Sequence, residues 1–369
     1  LFRKTFLPYK ECNIILKTKL NEAQAILKKF DESNIEFNFE LFESQLKQKG
    51  NIDTAIPTKC ITATKLVDYY NQHIRILEEQ GRVGLAGLYL EVKRILSKFK
   101  PEALLSDVNF RFLESFEYWM RNVRGNKDTT ISVKMRNLQR VVNQAIEEKL
   151  FRQQDYPFGE KKYSINKRLD NKTRKIAIDL GMISRLKQLQ LEHGSAMHLA
   201  QQLFMFSNYS RGMNFVDMTY LKWDDVSNTT ITYVRKKTGA RFDIPVNEHN
   251  SAILDYFRQS HGIKGNYVFP ILNLDIHKTL KQQYTRKKTA LKAVNDNLKK
   301  LACLIGEPSL KLTTNVGRHS YATGLKRSGA NTAFITEALG HATQEQTQTY
   351  LAEFEKGEIE SWENKMFNM

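Results

Sequence analysis

For about 90 residues from Thr62, apolar side chains recur at intervals of three and four, the spacing that gathers them on one face of an α-helix. Thr64 is placed to cap a first helix whose inner face is Leu66, Tyr70, Ile74 and Leu77, and Gly81 is placed to end it. A second helix is predicted through Leu88, Val92, Ile95 and Leu96, stopped by Pro101. A third runs through Leu113, Phe116 and Met120 and ends before Gly125. The fourth has the most regular stripe, Ile131, Met135, Leu138, Val142 and Ala145, with Lys134, Arg136 and Arg140 falling outside it. Four short helices predict a small all-α domain over residues 60–155, whose outer cations are candidates for tracking phosphates.

The preceding stretch, residues 1–55, combines a Lys-rich amphipathic segment (Ile15, Ala23, Ile26, Leu27, Phe30) with an aromatic cluster at Phe37, Phe39 and Phe42. It reads as a helical accessory region, with a break over residues 47–51. After the helical domain the chain turns polar and basic. Pro157, Gly159, Lys161, Lys162, Lys167, Arg168, Lys172, Arg174 and Lys175 predict a positively charged linker over residues 156–177. A second compact unit follows over residues 178–369. There a helical pattern at 199–206 gives way to β-formers at 230–234 and 242–246, which Lys237-Thr238-Gly239 joins as a hairpin. Tyr267-Val268-Phe269 predicts a third short strand, and Trp223 a core position. The fold class that follows is mainly α, with a small antiparallel sheet confined to the second domain.

Charge narrows the partner. Lys and Arg number 57 against 40 Asp and Glu, a net charge of +17, so the surface carries a field suited to a polyanion. Nucleic acid leads, although charge alone leaves open anionic lipid or mere solubility. At 41% hydrophobic residues the chain can bury real cores. Cys12, Cys60 and Cys303 are too scattered for a disulfide framework, which fits a reducing cytoplasm. No apolar run reaches the roughly 20 residues of a membrane helix, and the start shows no signal-peptide pattern. A start at Leu1 suggests that the natural N-terminus lies further upstream.

The C-terminal third holds what phosphoryl transfer needs: a nucleophile, cationic donors for charge on the non-bridging oxygens, and an acid for the leaving oxygen. Arg318 and His319 follow Thr313-Thr314-Asn315 at a helix start, Leu339-Gly340-His341 opens a turn, and Tyr350 lies nine residues beyond that histidine. There is no HExxH, no zinc-ligand spacing and no phosphate-binding Gly loop, so neither metal nor cofactor is predicted.

At these residues a resemblance becomes specific. The stretch Asn315-Val316-Gly317-Arg318-His319-Ser320-Tyr321-Ala322-Thr323 resembles the H-x-x-R-H-x-x-A-T box of the tyrosine recombinases, the phage-type integrases. Leu339-Gly340-His341 followed by Thr349-Tyr350 is similar to that family's L-G-H and terminal tyrosine. Val234-Arg235-Lys236-Lys237-Thr238-Gly239, then Ile244-Pro245-Val246, resembles its lysine-bearing hairpin. Met213-Asn214-Phe215-Val216-Asp217-Met218 resembles the first arginine box. Four boxes in order span roughly residues 178–350, and the helical unit before them resembles the family's core-DNA-binding domain. Two positions depart: Asn214 stands where the first catalytic arginine is expected and Asn315 where the box begins with histidine. A neutral amide lacks a guanidinium's charge and fork, so another cation must compensate. Arg235, two residues from Lys237 and thus on the same face of a strand, is the first candidate. Arg211, three residues from Asn214 and on the same face of a helix, is the second.

The resemblance implies that Tyr350 attacks a DNA phosphate to give a 3′-phosphotyrosyl bond and that Lys237 protonates the leaving 5′-oxygen. Arg318 and His341 would hold the non-bridging oxygens, with Asn315 donating a neutral bond and His319 orienting the phosphate. Asp217 is expected to orient a neighbouring cation. The implied partners are double-stranded DNA, further copies of the chain in a tetramer on DNA, and accessory DNA-bending proteins. The implied location is the cytoplasm at the nucleoid. Residues 352–369, with Ile359, Trp362 and Phe367 at near-helical spacing, are expected to dock on a neighbouring copy or to fold back on their own domain. Two other functions remain open at this stage, a non-catalytic DNA-binding relic and a type IB topoisomerase.

Overall fold

Helix α1 (Tyr9–Glu32) buries Ile26 and Phe30, one turn apart, and exposes Leu16, Leu20 and Leu27. It belongs to a unit spanning Leu1–Thr62, separate from the unit Ala63–Met369. In this computed structural model the described residues are 9–32, 39, 42, 64–171, 176–261, 266–341 and 343–351. Phe37, residues 47–51, Lys172, Arg174, Lys175 and the 352–369 tail lie outside them.

The second unit begins with the expected helices: α2 (Leu66–Glu79), α3 (Val83–Phe99), α4 (Phe110–Tyr118), extended by one π-turn to Val123, and α5 (Asp128–Glu147). Thr64 does not cap α2. Lys65 occupies that position, and the Thr64 carbonyl instead accepts from the Leu105 N–H at 2.9 Å. The predicted stripe of α5 is buried throughout, but the buried face is wider than the stripe. Helix α5 packs against α3 on one side and against the short helix α6 (Ile165–Arg168) on another. Lys134 is consequently enclosed, at 4% exposure, with its ammonium 2.6 Å from Glu91. It is an ion-pair residue rather than an outward phosphate contact. Arg136 and Arg140 are exposed as expected, Arg136 donating to Asn166.

The basic stretch after α5 is not a free tether over its whole length. Phe158, Tyr163, Ile165 and Leu169 are buried in the helical core, so the chain belongs to that domain as far as Leu169. Arg168 serves this packing: its guanidinium meets Glu117 at 3.0 Å and Glu114 at 3.2 Å and lies over the Tyr163 ring. It is nonetheless solvent-exposed. Lys161, Lys162 and Lys167 remain exposed.

The second half is built around α8 (Ala196–Tyr209), which follows α7 (Leu180–Gln188) and buries Ala200, Leu203, Phe204 and Phe206. Against α8 pack α10 (Glu248–His261), α11 (Leu280–Leu304) and α12 (Thr314–Arg327). Helix α9 (Phe215–Tyr220) leads to the hairpin of β1 (Thr230–Val234) and β2 (Arg241–Pro245), antiparallel with Thr230 opposite Pro245. Tyr233 stacks on its cross-strand partner Phe242 with centroids 5.2 Å apart. Residues 267–269 form no strand: Tyr267 makes one isolated bridge to Lys222, and Pro270 has no N–H to extend a ladder. Trp223 is buried, with Arg258 over its ring. Helices α13 (Thr332–Leu339) and α14 (Gln344–Leu351) complete the fold, packed together over Ala322, Ile335, Leu339 and Leu351.

Glu117 is the polar centre of the helical half. It accepts from Tyr163 at 2.6 Å, Arg168 at 3.0 Å and Arg121 at 3.1 Å. Burial pushes its pKa up, but those three hydrogen bonds outweigh burial and hold it below the usual glutamate value. A depressed folded pKa contributes stability above the unfolded value, about 4.3 for glutamate, and loses it as pH falls through the folded value. Glu117→Gln should therefore destabilise the chain by about 2 kcal/mol at neutral pH. Urea unfolding followed by circular dichroism should show that difference narrowing once the pH drops below about 4.

Candidate active site

The site forms where the C-terminal end of α13 meets the start of the chain leaving α8. The last carbonyls of a helix have no intrahelical donor and carry the negative end of its dipole. Here two guanidinium groups satisfy them. Arg318, on α12 and 7% exposed, donates to the Leu339 carbonyl and, through Nη1, to the Gly212 carbonyl at 2.9 Å. Arg235, directly after β1 and 8% exposed, donates through Nη1 to Gly340 at 3.1 Å and to Leu339 at 3.5 Å. Its Nε is buried with no hydrogen-bond partner among the described residues.

Two glycines make this approach possible. Gly212 has φ +67°, and a Cβ there would stand 2.8 Å from Arg318 Cγ and 3.0 Å from its Cα. Gly340 has φ +59°, and a Cβ there would fall 2.0 Å from Phe242 Cζ. Both positions need left-handed backbone and an absent side chain.

Asp217 supplies the opposing charge. It is 5% exposed on α9 and accepts the Lys236 N–H at 2.9 Å. Burial pushes its pKa up, while that N–H, the Arg235 and Arg318 charges and a hydrogen bond from the Asn214 side chain oppose the shift. Asp217 thus lies within electrostatic reach of Arg235 and Arg318. Asn214 is the N-cap position of α9, so the residue standing in the place of the resembled arginine holds the carboxylate.

Both candidate substitute arginines lie nearby, by routes different from those expected. Strand β1 ends at Val234, so Arg235 does not share a strand face with Lys237: Arg235 turns inward, and Lys237 is exposed in the following turn. Arg211 is not helical; it adopts φ +52° in the turn after α8. Its charge acts on the buried Tyr233 and the half-buried Tyr321, whose pKa values burial raises.

His341 follows Gly340. Its N–H donates to the Thr336 carbonyl at 3.0 Å, and its Nδ1 lies 2.9 Å from Thr347 Oγ1. Thr347, fully buried on α14, is also 2.9 Å from the Thr336 hydroxyl. With Thr347 donating to Nδ1, the imidazole keeps its proton on Nε2. Tyr350 lies one helical turn beyond Thr347 on α14, about 4.5 Å along the axis. Its side chain is outside the described residues. Asn315 is exposed in the first turn of α12, one turn before Arg318, and His319 is half-buried beside it. Among the described residues no cluster of three or more His, Cys, Asp or Glu is placed to hold a metal ion, and no helix is long and apolar enough to cross a membrane.

Thr336, Thr347 and Gly212 were not singled out from sequence; Gly212 acts by touching Arg318, 106 positions away, and no local pattern marks that.

Residues 65–165 match the phage integrase SAM-like domain and residues 182–356 match the phage integrase family. No curated protein matches the chain significantly in sequence. Among solved structures the fold is similar to a lambda integrase dimer bound to a COC′ core site, with TM-score 0.56, 14% identity and coverage of 78% of this chain and 95% of that one. It is similar to the Tn1549 transposon integrase in complex with a circular intermediate DNA, with TM-score 0.55, 16% identity and coverage of 78% and 95%. A lambda integrase tetramer bound to a Holliday junction gives TM-score 0.54 at 14% identity, covering 83% of this chain and 88% of that one. With the two domain matches consecutive, and the boxes around Arg318, His341 and Tyr350 inside the second, the chain belongs to the tyrosine recombinases, the DNA strand-transferases of the phage integrase family.

Proposed function

We propose that the protein cuts and rejoins double-stranded DNA at specific sites through a 3′-phosphotyrosyl intermediate, for integration or excision of a mobile genetic element. One observation carries the residue roles: Arg318 and Arg235 meet on the Leu339–Gly340 backbone, directly before His341 and one helical turn from the position of Tyr350 along α14. In this reading the Tyr350 oxygen attacks the scissile phosphorus and the 5′-oxygen leaves with a proton from Lys237. Arg318, Arg235 and the His341 Nε2–H take up charge on the non-bridging oxygens, and Asn315 adds a neutral donor. The tyrosyl ester retains the phosphodiester's energy, so a second 5′-hydroxyl reverses the step without a nucleotide cofactor.

Cutting and rejoining two duplexes needs several active sites, so the assembly proposed is a homotetramer on DNA, assisted by DNA-bending proteins, in the cytoplasm at the nucleoid. Arg136, Arg140, Lys161, Lys162 and Lys167 are the exposed cations proposed to follow the DNA backbone.

The first test is a duplex nicked beside the cleavage site, drawn from DNA flanking the coding sequence. The protein should leave a covalent protein–DNA band on a denaturing gel, and Tyr350→Phe should abolish it. A non-catalytic relic leaves no band in either case. Arg318→Ala should slow cleavage of bound DNA on the order of 10² to 10³-fold with little change in DNA affinity; weakened binding with normal cleavage of bound DNA would remove Arg318 from the chemistry. Arg235→Ala should cost a similar factor and Arg211→Ala much less, and the reverse ranking would transfer the substitute role to Arg211.

A further inference from the structure

Beyond the catalytic residues, three ammonium groups gather on two phenol rings. The Lys236 Nζ lies 5.2 Å and the Lys287 Nζ 5.7 Å from the centre of the Tyr220 ring. Lys287 also lies 5.2 Å, and Lys288 5.8 Å, from the centre of the Tyr284 ring. The residues come from three elements: the end of α9, the turn after β1, and one turn of α11 on which Tyr284, Lys287 and Lys288 follow the i, i+3, i+4 spacing. The Tyr284 ring rests on the first turns of α3, where a Cβ at Gly84 would stand 3.5 Å from it.

We propose that Lys236, Lys287 and Lys288, held on Tyr220 and Tyr284, form a binding site for a DNA backbone phosphate next to the one that is cut. The proposal rests on the strand-transfer reading and adds to it a second anion site.

Like charges brought together repel, and a folded chain normally relieves this with carboxylates or by spreading the lysines into solvent. Lys236 and Lys288 are solvent-exposed here, but no described carboxylate gathers with the three. None of the three ammonium groups stands within ion-pair distance of a described carboxylate. Lys287 is half-buried, and burial lowers its pKa against the opposing pull of Asp217. The rings offer a partial substitute, since the face of a phenol attracts a cation while leaving its N–H donors free for an anion. Asp217 ties the cluster to the catalytic arginines: it holds the Lys236 N–H, feels the charges of Arg235 and Arg318, and acts on Lys287. An anion bound to the cluster therefore lies beside the reacting phosphate, which on a duplex means a neighbouring phosphodiester of the same backbone.

The test is the salt dependence of binding to a fluorescent 30-base-pair duplex of arbitrary sequence, because each phosphate neutralised adds about 0.9 to the slope of log affinity against log salt. The variant Lys236→Gln, Lys287→Gln, Lys288→Gln keeps the aliphatic stems on the rings. It should lower the slope by about 0.9. The control Lys292→Gln, Lys299→Gln, Lys300→Gln removes the same charge from exposed positions further along α11 and should leave the slope nearly unchanged. Equal slopes for the two triple variants would overturn the proposal. Failure of the underlying reading would look different: no covalent complex dependent on Tyr350 would form, whatever the slopes.

Discussion

The carbonyl of Leu339 is the point on which the site depends. It accepts from Arg318 and from Arg235, two side chains from elements that are remote in sequence. A helix end alone offers half a charge at most, whereas two guanidinium groups are buried against it at 7% and 8% exposure. Asp217 compensates for one of them and is itself held at a raised pKa by burial. Two guanidinium groups thus share one enclosed carboxylate, Asp217, as a counter-charge. Such a cluster is unfavourable as a purely structural device, and it becomes favourable once an anion completes it. In the proposed mechanism that anion is the phosphorane, more negative than the diester it forms from, which is the condition for catalysis by differential binding.

The same cluster gives the amide at position 214 a role. An arginine there would add a third cation opposite a single carboxylate. Asn214, at the N-cap position of α9, instead hydrogen-bonds the Asp217 side chain, and the second guanidinium arrives from the hairpin as Arg235. In the proposed reading the charge has moved along the chain rather than disappeared. Arg235 also brings a donor, its buried Nε, that no described group uses.

Much of this was readable beforehand, and the part that was not has a common cause. Periodicity placed α5 and the β1–β2 hairpin because each depends on its own sequence and one buried face. The order of the boxes placed Arg318 and His341 in one domain. What periodicity does not carry is the identity of the element across the interface. Lys134 looked outward because a single stripe was assumed, yet α5 is covered on two sides. Arg168 looked like a linker charge because Glu117 lies 51 positions away. Arg235 and Lys237 looked like neighbours on a strand because nothing local shows that β1 stops at Val234 and that the next residue turns inward. The lysines on Tyr284 escaped notice because α11 shows their helical spacing but not the Tyr220 ring that gathers them.

The packing also couples the parts that must act together. Phe242 on the hairpin closes on Gly340 so tightly that no side chain fits between them. Gly340 turns the chain from α13 toward His341, and His341 is joined through Thr347 to the helix that carries Tyr350. Leu351 anchors the end of that helix in the α12–α13 cluster. The hairpin bearing Lys237, the arginines and the nucleophile's helix are thus linked by contacts that tolerate little independent movement. A shift of the hairpin large enough to displace Lys237 with β2 would press Phe242 against Gly340 and strain the Arg235 bonds to the same backbone. In the proposed mechanism general acid and nucleophile need not be positioned separately, because the backbone at 339–341 borders both the hairpin that leads to Lys237 and the helix that carries Tyr350.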